Sequence, residues 1–323
     1  MPIISAPHEF NTDNLYVDLA PSFEIPLYLK CEGFNFSGSI KQKAALEMVE
    51  MAEKCGLLGF DSVLVESSSG NLGVALSMIA ASKGYRFVCV TDSRCNPATR
   101  QIMEALGTEV QVVTEPDPET GFLGARLDRV RRLTAGDERY VWLNQYTNAN
   151  NWLAHHRLTA PEIAEQFPEL DLLFVGAGTT GTLMGCARWL KEHRPEVRIV
   201  AVDSVGSVVF GGRPERRMIP GLGSGVRPPL LDESVVDDVV LVPEAETIRA
   251  CHRLAGRGFL FGGSTGTVVA GAARWFADHG ASRDRAIAVA IAPDLGERYV
   301  DTVYRPDWVR EHYGSVEAEA GAV

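Results

Sequence analysis

Leu172-Leu173-Phe174-Val175-Gly176-Ala177-Gly178-Thr179-Thr180-Gly181-Thr182 passes directly from an apolar run to glycines and threonines, and then into a helical pattern. The apolar run reads as a strand and the rest as a turn that opens a helix. Glycines let a ligand approach the backbone, and the threonines add hydroxyl donors. The turn is therefore a candidate cradle for a phosphate at a helix start. It lacks the Gly-Lys-Ser/Thr ending of a P-loop, and its glycine spacing does not suit the dinucleotide fingerprint. A plain glycine-rich turn is the alternative reading.

Outward from this stretch, short apolar runs alternate with helical patterns. Strand-like runs cover Ser62–Glu66, Arg86–Thr91, Glu109–Val113, Leu172–Val175, Arg198–Asp203, Val239–Val242 and Ala286–Ile291. Between them, Ile40, Ala44, Met48, Met51 and Cys55 form one apolar stripe at helical spacing. Strands alternating with helices predict an α/β fold with mostly parallel sheets covered on both faces. The beginning differs: Asn14–Leu19 and Ile25–Glu32 read as consecutive strands joined by a turn at Ala20-Pro21-Ser22. The tail after Glu317 is expected to fray.

The length of 323 residues suggests about two domains, closely joined because no Gly/Ser linker separates them. The net charge of −11, from 31 basic and 42 acidic residues, argues against a general nucleic-acid surface. No apolar run approaches the roughly 20 residues of a membrane helix, and the start MPIISAPHEFNTDN lacks the pattern of a secretory signal, so a cytoplasmic location is expected. Six scattered cysteines without a C-x-x-C pair read as buried thiols. The histidines lack metal-ligand spacing, so no metal is expected. His155 and His156 would point in different directions on a helix, in structural or surface roles.

Three further stretches carry chemistry. Ser37-Gly38-Ser39-Ile40-Lys41 opens a helix, with glycine and serines suited to a tight turn and an N-cap. A lysine in the first turn opposes the helix dipole, and a lowered pKa there would favour the neutral amine that imine formation needs. Glu66-Ser67-Ser68-Ser69-Gly70-Asn71-Leu72-Gly73 places hydroxyls and backbone amides at a helix start, suited to a carboxylate or phosphate. Gly262-Gly263-Ser264-Thr265-Gly266 precedes another helix and places a serine where it could face a ring nitrogen. Taken singly, each also reads as an ordinary solvent lysine, turn or capped helix start.

Their order is the specific signal. Together with Asn144-Gln145-Tyr146, Pro220-Gly221-Leu222-Gly223 and Pro293-Asp294-Leu295-Gly296-Glu297-Arg298-Tyr299, the chain resembles the fold-type II pyridoxal-phosphate (PLP) enzymes of the cysteine synthase group, in the tryptophan synthase β-like superfamily. The resemblance implies two three-layer α/β domains with PLP in the cleft between them. A large PLP-binding domain would comprise residues 1–34 with 144–323, and a small substrate domain residues 35–143, free to close over substrate. Lys41 would form the Schiff base and move protons at Cα. Asn71 would bond the cofactor's 3′ oxygen, and Gly178, Thr179, Thr180, Gly181 and Thr182 would hold its phosphate. Ser264 would meet the ring nitrogen as a neutral partner that does not enforce a protonated ring. Ser68, Ser69, Gly70 and Leu72 would wrap the substrate carboxylate, with Gln145 and Gly221 nearby. The family also implies a homodimer acting on small amino acids.

Some positions depart from the common cysteine synthase pattern: Gln42-Lys43 for Asp-Arg, Leu72 for threonine, Thr180 for glycine and Tyr146 for phenylalanine. With Asn144–Trp152, Ile199–Asp203, Gly206–Gly211 and the Asp294–Tyr299 stretch, they resemble a narrower group, the N-(2-amino-2-carboxyethyl)-L-glutamate synthases. Those enzymes join O-phosphoserine to glutamate on the way to 2,3-diaminopropionate in siderophore and antibiotic pathways. Two anionic substrates call for local cations. Arg126 with Tyr146 is the favoured pair, and Arg213, Arg216, Arg217 and Arg227 are further candidates. The alternatives are cysteine or S-sulfocysteine synthesis from O-acetylserine or O-phosphoserine and, more distantly, a serine/threonine dehydratase.

Overall fold

Each long apolar run becomes a parallel strand flanked by helices. In the computed structural model residues 3–23, 25–280 and 286–316 are described. The first two residues of the amino-terminal stretch and the tail after Glu317 lie outside the described residues. In chain order the first elements are β1 (Tyr16–Asp18), α1 (Ala20–Phe23), β2 (Leu27–Cys31), α2 (Lys41–Lys54), β3 (Val63–Ser67), α3 (Asn71–Lys83) and β4 (Arg86–Asp92). Then follow α4 (Pro97–Ala105), β5 (Glu109–Val113), α5 (Gly121–Gly136), β6 (Tyr140–Trp142), α6 (Asn150–Ala154), α7 (Ala160–Gln166), β7 (Leu172–Gly176) and α8 (Gly181–His193). The last are β8 (Arg198–Ser204), β9 (Asp238–Val242), α9 (Glu244–Ala255), α10 (Gly263–His279), β10 (Ala288–Ala292) and α11 (Pro306–Tyr313). A π-helical turn, His155–Thr159, lies between α6 and α7.

The chain divides into two compact units. The first holds Met1–Asn11 and Asn35–Ala154. Its sheet runs β5-β4-β3-β6, all parallel. β3 is buried at every position, as a central parallel strand should be. Leu64 and Cys89 pack with Met48, Leu76, Ile79 and Met103, while Val63, Val65, Val88 and Val90 pack with Val130 of α5. Helices thus cover both faces.

The second unit holds Thr12–Phe34 and His155–Val323. Its sheet runs β1-β2-β10-β7-β8-β9. Among the described residues of this sheet, only the β1–β2 pair is antiparallel. Its core gathers Leu27, Leu29, Phe174, Val200, Val202, Val268 and Trp275.

Four readings need correction. Ala20–Phe23 is one helical turn rather than a plain turn, closed by the Phe23 amide on the Leu19 carbonyl at 2.8 Å, which buries the Phe23 ring in the core. Tyr140–Trp142 is a strand that no apolar run announced. The apolar stripe of α2 ends early: Ala45, Val49 and Ala52 are buried, whereas Cys55 is exposed past the helix end. Cys95 is only partly buried, so four of the six thiols are buried as expected. Among the described residues, no helix is long and apolar enough to cross a membrane.

Candidate active site

In the first unit, the turn before α2 is built by Asn35. Its Oδ1 accepts from the Ser37 amide at 3.1 Å and the Ser37 hydroxyl at 2.9 Å, and its Nδ2 donates to the Ser39 carbonyl at 2.9 Å. Gly38 has φ +69°, which glycine adopts without strain. The expected serine N-cap is absent: the cap position is Ile40, the Ser37 hydroxyl turns to Asn35, and the buried Ser39 Oγ has no partner among the described residues. Lys41 follows as the first residue of α2. It keeps some solvent access, yet the protein packed around its amine lowers its pKa to about 8. Burial is the cause, because water stabilises the ammonium better than protein does.

The serine-rich turn joins β3 to α3. Ser68 Oγ accepts from the amides of Gly70 at 3.3 Å and Gly73 at 3.0 Å, two donors that a helix start otherwise leaves without a partner. Asn71 is the first helical residue and is partly exposed, while the Leu72 side chain packs into the core and leaves only its backbone to face the turn. Glu66, given no role of its own by the sequence, organises this end of the sheet. It is fully buried. Its Oε1 accepts from the Ser67 amide at 2.8 Å and Trp142 Nε1 at 3.1 Å, and its Oε2 from the Gln145 amide at 3.1 Å. Gln145 Nε2 returns a bond to the Ser67 carbonyl at 3.0 Å. Glu66 therefore ties the serine turn to the turn after β6, where Asn144 holds a left-handed φ of +53° and Tyr146 is partly buried. Burial pushes Glu66 up to about 7 despite these donors. Its signal was an acid ending an apolar strand.

Arg126 lies on α5 with 7 % of its surface exposed. Its Nε is 3.4 Å from Asp92 Oδ2 at the end of β4, and its Nη1 has no hydrogen-bond partner among the described residues. β4 is the neighbour of β3, and the thiol of Cys95, just after β4, reaches the Ser69 carbonyl at 3.5 Å.

In the second unit the opening stretch turns as expected from β7 into α8. Thr180, where relatives of the resembled group carry glycine, has φ +65°. Its Oγ1 is buried without a partner among the described residues. Thr182 Oγ1 meets His155 Nε2 at 3.2 Å, and His155 Nδ1 meets Thr159 Oγ1 at 3.0 Å. His156 points elsewhere, to Glu192. The Gly221 loop lies against both other loops of this unit. The Gly223 amide donates to the Ala177 carbonyl at 2.7 Å. A Cβ on Gly178 would fall 3.4 Å from the Gly221 carbonyl, and one on Gly221, at φ +110°, only 2.5 Å from Ser264 Oγ. Gly178, Gly221 and Ser264 thus frame one small space that side chains would fill. Ser264, in the first turn of α10, donates to Asp294 Oδ1 at 2.8 Å. Of the other arginine candidates, Arg213 and Arg216 are exposed, Arg227 pairs with Glu233, and Arg217 braces the Leu222 carbonyl at 2.9 Å.

Known proteins share this architecture. The family described as pyridoxal-phosphate dependent enzyme matches residues 7–294. An N-(2-amino-2-carboxyethyl)-L-glutamate synthase from Ralstonia nicotianae is 39% identical over 285 residues, covering 88% of this chain and 83% of the relative. A solved hydrogen sulfide-producing enzyme from Fusobacterium nucleatum superposes with TM-score 0.85 at 30% identity, covering 92% of this chain and all of that one. An O-acetylserine-dependent cystathionine β-synthase from Helicobacter pylori gives 0.85 at 26% identity, over 94% and 100%. An O-ureido-L-serine synthase gives 0.84 at 32% identity, over 93% and 95%. The fold is the tryptophan synthase β-like one, and pyridoxal phosphate is the cofactor. On the match across most of its length, this chain belongs to the family of pyridoxal-phosphate dependent enzymes.

Proposed function

We propose that this enzyme replaces the phosphate of O-phospho-L-serine with L-glutamate, giving N-(2-amino-2-carboxyethyl)-L-glutamate as a precursor of 2,3-diaminopropionate. The residues suit the cofactor. The orphaned Thr180 hydroxyl and the first amides of α8 suit its phosphate, and the space framed by Gly178, Gly221 and Ser264 suits a flat ring. Lys41, Asn71, Gly178–Thr182 and Ser264 are the residues assigned to it. Bound there, the cofactor withdraws electrons from the substrate's Cα and so loosens its proton and its β-substituent.

Lys41 holds the cofactor and, with a pKa near 8, takes the Cα proton and returns it after the nucleophile adds. Ser68, Ser69, Gly70 and Leu72, with Gln145, orient the α-carboxylate. Arg126 is the observation that carries the choice of substrate. A nearly buried guanidinium whose Nη1 has no partner among the described residues suits an anion, and arginine fits phosphate and carboxylate geometry. Tyr146 is assigned a supporting hydroxyl. The relative named N-(2-amino-2-carboxyethyl)-L-glutamate synthase favours the same choice. The family resemblance further points to a homodimer, and the location expected from the sequence is the cytoplasm.

The solved relatives named for sulfide production and cystathionine synthesis favour a second reading, with sulfur as the nucleophile. Incubating PLP-loaded enzyme with O-phosphoserine and, separately, glutamate, sulfide or thiosulfate decides between them by mass spectrometry of the product. Glutamate adduct formation is expected. Sulfide incorporation without glutamate incorporation would overturn the proposal in favour of cysteine synthesis, and steady keto-acid release without any nucleophile would indicate a dehydratase.

A further inference from the structure

Ser69 sits between two peptide planes whose carbonyls are both held. The Ser68 carbonyl accepts from the thiol of Cys89 on β4 at 3.3 Å, and the Ser69 carbonyl accepts from the thiol of Cys95, just after β4, at 3.5 Å. A carbonyl only accepts, so each thiol supplies the proton. For Cys95 the Asn96 carbonyl is a longer alternative at 3.7 Å. Cys89 reaches the turn because Gly73 lacks a side chain: a Cβ there would fall 3.2 Å from its sulfur. Burial raises both thiols above their ordinary range, so each keeps the proton it donates. Thr91 and the guanidiniums of Arg126 and Arg100 pull Cys95 the other way without cancelling that rise.

None of the described peptide bonds is cis, so each amide points opposite to the carbonyl of its own plane. A carbonyl turned toward a thiol therefore turns the next amide away from it. The Ser69 amide, opposite the Ser68 carbonyl, makes no hydrogen bond among the described residues. The Gly70 amide, opposite the Ser69 carbonyl, has only the long bond of 3.3 Å to Ser68 Oγ. The Ser68 amide is tied to the sheet, donating to the Val90 carbonyl at 3.1 Å and lying near the Cys89 sulfur. The turn is thus gripped from the side of β4, and its donors are left on the opposite side.

We propose that Cys89 and Cys95 are positioning residues for the substrate carboxylate, their thiols clamping the carbonyls of Ser68 and Ser69 so that the Ser69 and Gly70 amides face the anion. The proposal rests on the reading that the serine turn holds the α-carboxylate. It gives two of the scattered cysteines a role beyond packing. No covalent bond is made or broken, and both thiols act only through the backbone.

The test titrates PLP-loaded enzyme with L-serine, following the visible band of the cofactor, and repeats the titration with ethanolamine, which is L-serine without its carboxylate. Cys89→Ala and Cys95→Ala should each weaken L-serine binding about twofold to fivefold, as loss of one weak hydrogen bond implies, and leave ethanolamine binding unchanged. Cys89→Ser and Cys95→Ser keep a hydroxyl donor and should recover most of the lost affinity. Ser68→Ala removes the hydroxyl that orders the Gly70 and Gly73 amides and serves as the control for the turn itself. If Ser68→Ala binds L-serine as the wild type does, the turn does not hold the carboxylate and the underlying reading fails. If Ser68→Ala weakens L-serine binding and both cysteine-to-alanine variants do not, the turn stands and the role of the thiols fails. Equal weakening toward L-serine and ethanolamine, or serine variants no better than the alanine ones, would reduce the cysteines to packing and overturn the proposal as well.

Discussion

Thr182 Oγ1 and His155 Nε2 lie 3.2 Å apart in the buried interior of the second unit, although the sequence separates them by 27 positions. His155 sits on the π-helical turn and grips Thr159 with its other nitrogen. π-helical turns recur at functional sites. The imidazole braces the Thr182 hydroxyl at the start of α8, where the phosphate is assigned. A hydrogen bond of this kind contributes on the order of 1 kcal/mol, so His155→Ala should weaken PLP binding about fivefold to tenfold. Titrating cofactor-free protein with PLP and following the protein fluorescence measures it, and unchanged affinity would assign His155 to packing alone.

Thr180 stands in a conformation its side chain disfavours. A β-branched residue at φ +65° costs on the order of 1–2 kcal/mol, and its enclosed hydroxyl recovers nothing within the described protein. Thr180→Gly should therefore leave the cofactor-free enzyme as stable as before or up to about 1 kcal/mol more stable, while weakening its hold on PLP. Urea denaturation of the cofactor-free form and PLP titration separate the two effects. A loss of stability without a loss of affinity would show that the threonine serves packing instead.

What could be read from the sequence follows from how local each demand is. β3 and β10 were visible because strands covered on both faces are apolar at nearly every position. β6 was not, since Tyr140–Trp142 is only a short run whose pairing with β3 makes it a strand. The glycine and serine loops announced themselves because turns and close backbone approach demand particular residue types. The residues that brace those loops did not. Glu66 meets Gln145 across 79 positions and Ser264 meets Asp294 across 30, distances at which a single sequence carries no signal. The serine N-cap expected before Lys41 failed for a related reason, because Asn35 competes for the Ser37 hydroxyl.

If Lys41 holds the cofactor as proposed, its pKa sets the pH at which the cofactor can be loaded. Burial lowers its pKa to about 8, and only the neutral amine attacks a carbonyl. The rate at which the cofactor-free enzyme takes up PLP should rise with pH and level off above about 8, rather than climbing toward the usual lysine range. Stopped-flow absorbance at the Schiff-base band gives the profile. A rate still rising tenfold per pH unit at pH 9 would show that the amine is not depressed. Lys41→Ala should lose the band altogether.

Glu66 should make the fold less stable as pH rises. Its pKa in the folded protein is pushed up to about 7 from an ordinary 4.5. Between those values the folded chain holds a proton that the unfolded chain has released, so stability falls with increasing pH. The loss begins near pH 4.5, is complete above about pH 7, and amounts to about 3 kcal/mol at most. Asp203, raised by burial to about 6, adds a smaller slope of the same sign. Glu66→Gln has no proton to lose, so urea midpoints measured from pH 5 to 8 should decline less steeply in the variant, with the Asp203 part retained. The substitution also sets an amide donor against backbone donors, at Ser67 or Gln145, which should loosen the serine turn and raise KM for the amino-acid substrate more than it lowers kcat. A variant whose midpoints track the wild type across this range would show that Glu66 is ionised throughout, with its hydrogen-bond donors outweighing the cost of burial.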